Sequence, residues 1–180
     1  MPTMQRTLPR SFFKRPTLKV AEELLGCILV RKIGRKTFRA TITEVEAYVG
    51  EDDLACHASR GRTARTETMY GEAGHAYVYL IYGMYHCLNI VTEQKDFPAA
   101  ILIRGVHIEG VPARETNGPG KLCRFLEIDR SFNGHDITQG EKLWIEKGTK
   151  VATKNIRASK RVGVEYAGVC AEYLWRFKIV

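Results

Sequence analysis

Two runs of β-forming residues lie on either side of Gly83, and this pattern constrains the fold more than any other stretch of the sequence. The first run, Ala-Tyr-Val-Tyr-Leu-Ile-Tyr, extends from Ala76 to Tyr82, and the second, Tyr-His-Cys-Leu-Asn-Ile-Val, extends from Tyr85 to Val91. β-Branched and aromatic residues favour strands, and a glycine between two such runs favours a tight turn. The sequence therefore predicts an antiparallel β-hairpin.

The other strand-like and helical segments predict an α+β fold. Strands are expected over 27–33, 37–49, 99–108 and 142–146, with an apolar strand-like run at the end of the chain. One helix is expected between Pro16 and Gly26, and another over 119–126, because proline suits a helix start and glycine a helix end. No repeat or linker interrupts the sequence. We therefore expect one domain, residues 1–180, with a curved, largely antiparallel sheet, flanking helices and a protruding hairpin.

Charge and cysteine content narrow the partners of the chain. Its 28 Lys and Arg residues outnumber 20 Asp and Glu, and the resulting net charge of +8 favours a polyanion such as nucleic acid. Five cysteines without a Cys-x-x-Cys pair argue against a disulfide framework or a zinc ribbon. We expect no metal and no cofactor. No apolar run reaches the length that crosses a membrane, so no membrane partner is expected.

Glu46 is the first candidate for chemistry. Strand alternation puts it on the same side as Glu44 and Tyr48. An antiparallel strand commonly turns its polar side to water, which predicts a solvated Glu46. The alternative is a carboxylate that activates a water molecule, because a long polar loop, residues 51–74, follows the strand and holds His57 and several arginines. The strand pattern leaves both interpretations open.

The tip of the hairpin carries unusual residues. Turns favour Gly, Asn, Asp and Ser, yet this tip has Tyr82, Met84 and Tyr85 around its glycine. Such a tip either folds into the core or a dimer contact, or acts as a wedge between base pairs. The positive net charge favours the wedge.

Residues 118–121, Gly-Pro-Gly-Lys, are similar to a phosphate-binding loop. They do not form a P-loop, because Glu115 stands where its first glycine is required and Leu122 follows the lysine. We expect Gly120 and Lys121, at the start of a helix, to contact a DNA phosphate.

The His-x-Glu and Pro-Cys-x-x-Cys pattern of zinc deaminases is absent, which argues against base deamination.

Six blocks, in the same order as in the family, resemble the alkyladenine DNA glycosylases, also called 3-methyladenine or methylpurine DNA glycosylases. They are Glu46-Ala47-Tyr48, Asp52 and Asp53 with His57, and residues 77–90, 101–104, 118–123 and 161–164. The resemblance covers the chain from about Leu24 to Phe177. Where the family often has Thr-Pro-Arg-Asn, this chain has Thr63-Ala64-Arg65-Thr66, which predicts a more flexible loop.

The resemblance implies a set of catalytic residues. Glu46 is implied as the general base, while Arg104 and the backbone carbonyl of Val162 help to hold the attacking water. Cleavage of a glycosidic bond passes through a cationic sugar, which a nearby carboxylate also stabilises.

The resemblance also implies a pocket for a flipped base. Tyr48, His57 and Tyr79 form its walls and edge, and the backbone around Ala55 and His57 contacts the edge of the base. Asn89 lies at the floor and disfavours guanine. Stacking on tyrosine favours electron-poor alkylated purines through cation–π attraction.

The implied function is that of a monofunctional glycosylase in base excision repair. It flips alkylated or deaminated purines, of the 3-methyladenine, 7-methylguanine, hypoxanthine and ethenoadenine class, out of DNA and leaves an abasic site, while Tyr82 fills the vacated stack. The expected partner is double-stranded DNA containing a damaged purine. A monomer is expected, in the cytoplasm at the nucleoid of a prokaryote or in the nucleus of a eukaryote.

Two other functions stay open on the residues alone. A non-catalytic binder of bent or damaged DNA would not need Glu46. An RNA-binding module with stacking aromatics would show no preference for duplexes that carry a lesion.

The length of the hairpin loop sets the register in which its two strands pair, and two loop lengths are considered. A two-residue loop, Gly83-Met84, is the default, but it would put Tyr79 and Asn89 on opposite faces. A pocket that contains both requires them on one face. We therefore predict a three-residue loop, Gly83-Met84-Tyr85, which pairs Tyr82 with His86 and Tyr79 with Asn89.

Overall fold

The computed structural model describes residues 6–180, and its centre is an eight-stranded sheet in which every strand pair is antiparallel. The strands are β1 (Ile28–Ile33), β2 (Lys36–Val49), β3 (Ala76–Ile81), β4 (Tyr85–Val91), β5 (Ala99–His107), β6 (Leu143–Glu146), β7 (Ile156–Ser159) and β8 (Arg176–Ile179). Six of them follow the order β3-β4-β5-β2-β1-β6, while β8 pairs with both β2 and β7. The predicted α+β fold with an antiparallel sheet is confirmed.

Short helices flank the sheet. They are α1 (Arg10–Phe13), α2 (Thr17–Leu24), α3 (Ala113–Thr116) and α4 (Pro119–Phe125). The two predicted helices correspond to α2 and α4, and α4 has its proline at the first turn as expected. The predicted loop over 51–74 contains two 3₁₀ turns, His57–Arg60 and Glu67–Tyr70.

One face of the sheet carries the main hydrophobic core. Alternate residues of the central strands, such as Val45, Leu88 and Ile103, are buried there with Leu24 of α2 and Leu122 of α4. The other face is covered by the 51–74 loop and by the segment after Lys160, which form two smaller clusters with the aromatic residues of β2 and β3. The sheet therefore has a second, partly open face on which a site can form.

The hairpin of β3 and β4 has a three-residue loop, but its position differs from the prediction. Ile81 pairs with Tyr85, so the loop is 82–84 and not 83–85, and the predicted pairing of Tyr79 with Asn89 is wrong by two residues. Both Tyr82 and Gly83 have positive φ, and the amide of Met84 donates to the carbonyl of Ile81. A shift of two residues preserves strand alternation, so the predicted placement of Tyr79 and Asn89 on one face is confirmed.

An irregular stretch interrupts the pairing of β2 with β5. The register shifts on both sides of Glu44, which is opposite Gly105. Arg104 is consequently an extra residue on β5, opposite no single partner. Bulges of this kind redirect side chains and are common near functional sites.

Candidate active site

A row of facing residues crosses the open face of the sheet. Tyr77 pairs with Asn89, Asn89 with Leu102, and Leu102 with Glu46, so all four side chains lie on one face. Directly paired residues on antiparallel strands point to the same side, which explains how positions far apart in sequence meet. The register of β3, β4, β5 and β2 therefore assembles the site.

Glu46 is fully buried, and three groups donate to its carboxylate. The amide N–H of Val162 donates to Oε1 at 2.7 Å, and the Tyr48 hydroxyl donates to Oε2 at 2.7 Å. Nη1 of Arg104 approaches Oε2 at 3.5 Å. The solvated interpretation of Glu46 is wrong, because its strand faces a second layer of chain and not water.

The donors leave Glu46 one position at which it can accept a proton. An ionised carboxylate has about four acceptor positions, two on each oxygen. Tyr48 and Arg104 both approach Oε2, whereas Val162 alone occupies Oε1. The arrangement can therefore fix the carboxylate and still take a proton from a water molecule at Oε1.

Arg104 lies between two carboxylates at the bulge. Its Nε lies 3.5 Å from Oε1 of Glu44, and its Nη1 reaches Glu46. Glu44 is itself held by Arg176, whose Nε donates to Oε1 of Glu44 at 2.6 Å. Nζ of Lys178 lies 4.0 Å from Oε2 of the same carboxylate. The Glu44 carboxylate therefore helps to hold the Arg104 guanidinium beside Glu46.

His57 and two tyrosines form an aromatic wall. Nδ1 of His57 lies 3.0 Å from the Tyr77 hydroxyl, and its ring meets that of Tyr79 edge-on at 4.5 Å. Burial, with a smaller contribution from Arg65, lowers the pKa of His57 to about 4. Burial raises the pKa of Tyr77 to about 12 and the pKa of Tyr79 above its usual range. The wall is therefore uncharged at neutral pH.

A cavity of about 440 Å³ brings most of the predicted site residues together. Its lining includes Tyr48, Ala55, His57, Tyr79, Asn89, Arg104 and Val162, and also Tyr82, Tyr85, Gly120 and Lys121. Met84 and Glu46 are not part of the lining, and Glu46 lies behind Tyr48, Arg104 and Val162, which are. Asn89 is buried and donates its amide to the carbonyl of Tyr77.

Several residues of the site were missed by the sequence reasoning. Tyr77, Cys87, Leu102 and Tyr166 also line the cavity. Strand alternation could have found Tyr77 and Cys87, since they share a face with Tyr79 and Asn89. The turn over 63–66, where the family pattern is not followed, is closed by Thr66, whose hydroxyl accepts from the Thr63 amide at 2.9 Å.

The hairpin tip projects beside the cavity. Tyr82 is 84% exposed and Met84 65%. The first turn of α4 packs against Tyr85, since a Cβ on Gly120 would lie 2.8 Å from Cδ1 of that ring. The folded-back interpretation of the tip is wrong for Tyr82 and Met84, because both side chains are exposed.

The described part of the chain was expected to lack a membrane span and a metal site, and two observations concern these features. Between residues 6 and 180, no helix combines the length and apolar character that a membrane crossing requires. Over the same residues, no group of three or more His, Cys, Asp or Glu side chains has a metal-binding arrangement.

A buried carboxylate behind an aromatic cavity is typical of an enzyme active site. A sequence model of the methylpurine-DNA glycosylase family matches residues 11–180. A protein of Methanocella arvoryzae named "Putative 3-methyladenine DNA glycosylase" is 50% identical over 94% of this chain and 90% of its own length. A protein of the same name from Sodalis glossinidius is 50% identical over 95% of both chains.

The chain therefore belongs to the methylpurine-DNA glycosylase family. The predictions of a DNA glycosylase, of a role in DNA repair and of binding to damaged DNA are confirmed at the level of this family.

Proposed function

We propose that this protein flips alkylated or deaminated purines out of double-stranded DNA and hydrolyses their N-glycosidic bond with a water activated by Glu46. The observation that carries the proposal is the buried Glu46 carboxylate, held by Val162, Tyr48 and Arg104 behind a cavity with aromatic walls. Burying a carboxylate costs free energy, so a buried carboxylate whose three donors line a cavity is expected to serve chemistry.

In the proposed reaction Oε1 of Glu46 accepts a proton from the water as its oxygen attacks the anomeric carbon. The bond to the purine breaks and its electron pair leaves with the base. The negative charge of Glu46 stabilises the cationic sugar in the transition state, and Arg104 with the Val162 backbone orients the water. The product is an abasic site in an uncut strand, because water and not an amine is the nucleophile.

The pocket suits a purine with low electron density. Its volume of about 440 Å³ lies in the range of small-molecule sites, roughly 300–1,000 Å³. Tyr48, His57 and Tyr79 offer rings for stacking, and the lowered pKa of His57 keeps that ring neutral. A neutral wall does not repel a positively charged methylated base, and tyrosine faces attract it. The positive charge of 3-methyladenine and 7-methylguanine suits this wall, and hypoxanthine and ethenoadenine would be held by stacking. Asn89 at the floor would crowd the exocyclic amine that guanine and 7-methylguanine share, so we expect 7-methylguanine to be the poorest of the four substrates.

The hairpin tip supports base flipping. Tyr82 is exposed and has a φ of +53°. Left-handed backbone costs an L-residue roughly 1–2 kcal/mol, so a bulky aromatic there needs a compensating role. Insertion of Tyr82 into the vacated stack, with Met84 and Tyr85 beside it, is such a role. Gly120 and Lys121 at the start of α4 would then contact the phosphate backbone.

The organisation of the protein in the cell is part of the same proposal. We expect residues 1–180 to act as one glycosylase domain, as a monomer and without a metal or cofactor. The named relatives come from archaea and bacteria, which supports action in the cytoplasm at the nucleoid.

The test is incubation of the protein with duplexes that each carry one lesion, in the presence of EDTA, with release of free base as the readout. Release from at least one lesion duplex, and none from undamaged duplex, is expected. Borohydride should trap no protein–DNA adduct. Binding of lesion duplexes without release would instead identify a non-catalytic damage binder, and equal binding of single-stranded RNA would favour the RNA-binding alternative.

A further inference from the structure

A buried ion pair lies directly behind the site. Nη1 of Arg161 is 2.6 Å from Oδ2 of Asp53, and Nη2 is 2.9 Å from Oδ1, with both side chains almost fully buried. The same guanidinium donates to the carbonyls of Ala47 and Cys170, at 2.9 and 3.0 Å. Arg161 therefore joins the end of β2, the 51–74 loop and the segment after Lys160.

Arg161 is adjacent to two of the three groups that hold the Glu46 carboxylate. Val162, the next residue, donates its amide to Oε1 of Glu46. The Arg161 guanidinium also lies over the ring of Tyr48 at 4.8 Å, and the hydroxyl of that tyrosine donates to Oε2. Each oxygen of Glu46 thus has a donor whose position depends on Arg161.

The Asp53 carboxylate of this ion pair also accepts two backbone hydrogen bonds. Oδ2 of Asp53 accepts from the amide of Val49 and Oδ1 from the amide of Ala55, each at 3.1 Å. Burial lowers the pKa of Arg161, but the hydrogen bonds and the charge of Asp53, with further contributions from Tyr48 and Glu46, together outweigh burial and raise that pKa, so the guanidinium stays charged. Buried ion pairs add little stability over well-packed apolar side chains. Geometry explains this pair better than stability does.

We propose that Arg161, held by Asp53, is a positioning residue that fixes two of the three hydrogen-bond donors of the Glu46 carboxylate, the Val162 amide and the Tyr48 hydroxyl. Arg161 contacts neither the water nor the base in this role. The inference rests on the proposed function, since it assigns to Arg161 a share in water activation by Glu46.

The experiment compares Arg161→Met with Arg31→Met. Arg31 is a matched control, because it too is buried, donates to the carbonyls of Leu126 and Glu127, and lies over an aromatic ring, but does not line the cavity. Single-turnover base release from a hypoxanthine duplex, the dissociation constant for that duplex and the Tm are measured for each variant. Misplacement of a reacting group by about 1 Å can cost ~10²-fold in rate.

We expect Arg161→Met to slow release by that factor with little change in the dissociation constant, while Arg31→Met lowers the Tm and keeps the rate. Arg161→Lys should recover part of the rate, because an ammonium can pair with Asp53 but cannot reach both oxygens and both carbonyls. Equal loss of rate and affinity, or a rate within about twofold of wild type, would overturn the inference.

Arg161→Met leaves Asp53 buried without its ion-pair partner and can therefore fail to fold. A second variant covers that case. Asp53→Asn combined with Arg161→Met removes both charges and keeps an acceptor for the Ala55 amide. The same selective loss of rate is expected, and a normal rate would overturn the inference. Undiminished release by Glu46→Gln would instead defeat the proposed function, so the two failures are distinguishable.

Discussion

The amide N–H of Val162 donates a hydrogen bond of 2.7 Å to Oε1 of Glu46, although 116 positions separate the two residues in sequence. A main-chain donor cannot rotate away as a side chain can, so this contact fixes one oxygen of the carboxylate. Tyr48 and Arg104 approach the other oxygen. The C-terminal part of the chain thereby sets the orientation of a group carried by β2.

Glu46→Gln should abolish base release and preserve lesion binding. The amide keeps the shape of the carboxylate and can still accept from Val162, but it cannot take the proton of the water. Loss of a general base typically slows a reaction by ~10²–10⁴-fold. Single-turnover kinetics and a binding titration on a lesion duplex measure both effects.

The control for that variant is Glu146→Gln. Glu146 is also a buried carboxylate, paired with Arg39 and Trp144 away from the cavity. The Glu146→Gln variant should be less stable than the wild type but release base at the wild-type rate. Near-normal turnover by Glu46→Gln would remove Glu46 from the mechanism.

The stability of the protein should depend on His57 between about pH 6.5 and pH 4. Burial lowers the pKa of His57 to about 4, whereas an unfolded histidine titrates near 6.5. Above pH 6.5 the His57 side chain is neutral in both the folded and the unfolded state. As the pH falls towards 4, this histidine binds a proton in the unfolded chain but stays neutral in the folded protein. The folded state therefore loses stability across this window.

Urea unfolding of the wild type and of His57→Gln at several pH values tests this assignment. The free energy of unfolding of the wild type should fall relative to that of the variant as the pH drops through the window. His107→Gln, which removes an exposed histidine, serves as the control. A constant difference between wild type and His57→Gln across the window would show that His57 titrates normally in the folded protein.

Local sequence patterns predicted the sheet, and the pocket implied by the family resemblance predicted the face that Tyr79 and Asn89 share. The β-rich runs identified β3 and β4, and the requirement for a shared pocket put Tyr79 and Asn89 on one face, as found. The position of the turn was wrong because turn rules reserve positive φ for glycine and asparagine, whereas here Tyr82 also adopts it. A local preference was overridden at the tip of the hairpin.

Long-range contacts explain what the sequence did not predict. Strand alternation alone suggested a solvated Glu46, since nothing local indicates that residues 161–164 cover it. The Asp53–Arg161 pair joins positions 108 apart and has no sequence signature. The short strand β7 was missed, because four residues with a mixed burial pattern carry little periodic signal.

Gly120→Ala should destabilise the protein only while Tyr85 is present. A Cβ at position 120 would lie 2.8 Å from Cδ1 and 3.0 Å from Cβ of Tyr85, so the whole side chain must move. Overpacking of this kind costs about 1–3 kcal/mol. In the Tyr85→Gly background, which removes the Cβ as well as the ring, the clash disappears, and alanine at position 120 should then be neutral or favourable in the helix.

Thermal unfolding of the four proteins in this double-mutant cycle gives the coupling directly. A destabilisation by Gly120→Ala that is the same in both backgrounds would mean that the glycine serves the helix and not the contact with the hairpin.

Lys121→Gln should weaken duplex binding equally for damaged and undamaged DNA. A lysine on a phosphate releases about one counterion, so its loss should reduce the slope of log K against log salt by ~1. Lys36→Gln is the matched control, because Lys36 is also exposed but begins β2, ten residues from Glu46 along the strand. Fluorescence anisotropy at several salt concentrations measures the slopes. Equal slopes for Lys121→Gln and the wild type would remove Lys121 from the DNA-contacting surface.

Replacing Tyr82 by glycine should separate stability from function. Glycine adopts a φ of +53° without the strain that a tyrosine bears, so the folded state should be as stable as the wild type or more stable, by up to about 1 kcal/mol. The same change removes the ring that would fill the vacated stack, and unstacking costs a few kcal/mol that a wedge partly offsets. The fluorescence of 2-aminopurine beside a lesion should therefore rise less on binding, and base release should slow. Phe97→Ser, which removes another exposed aromatic residue that does not line the cavity, should leave both signals unchanged. An unaltered flipping signal in Tyr82→Gly, with the Tm raised, would show that the strained tyrosine has no part in holding the base outside the duplex.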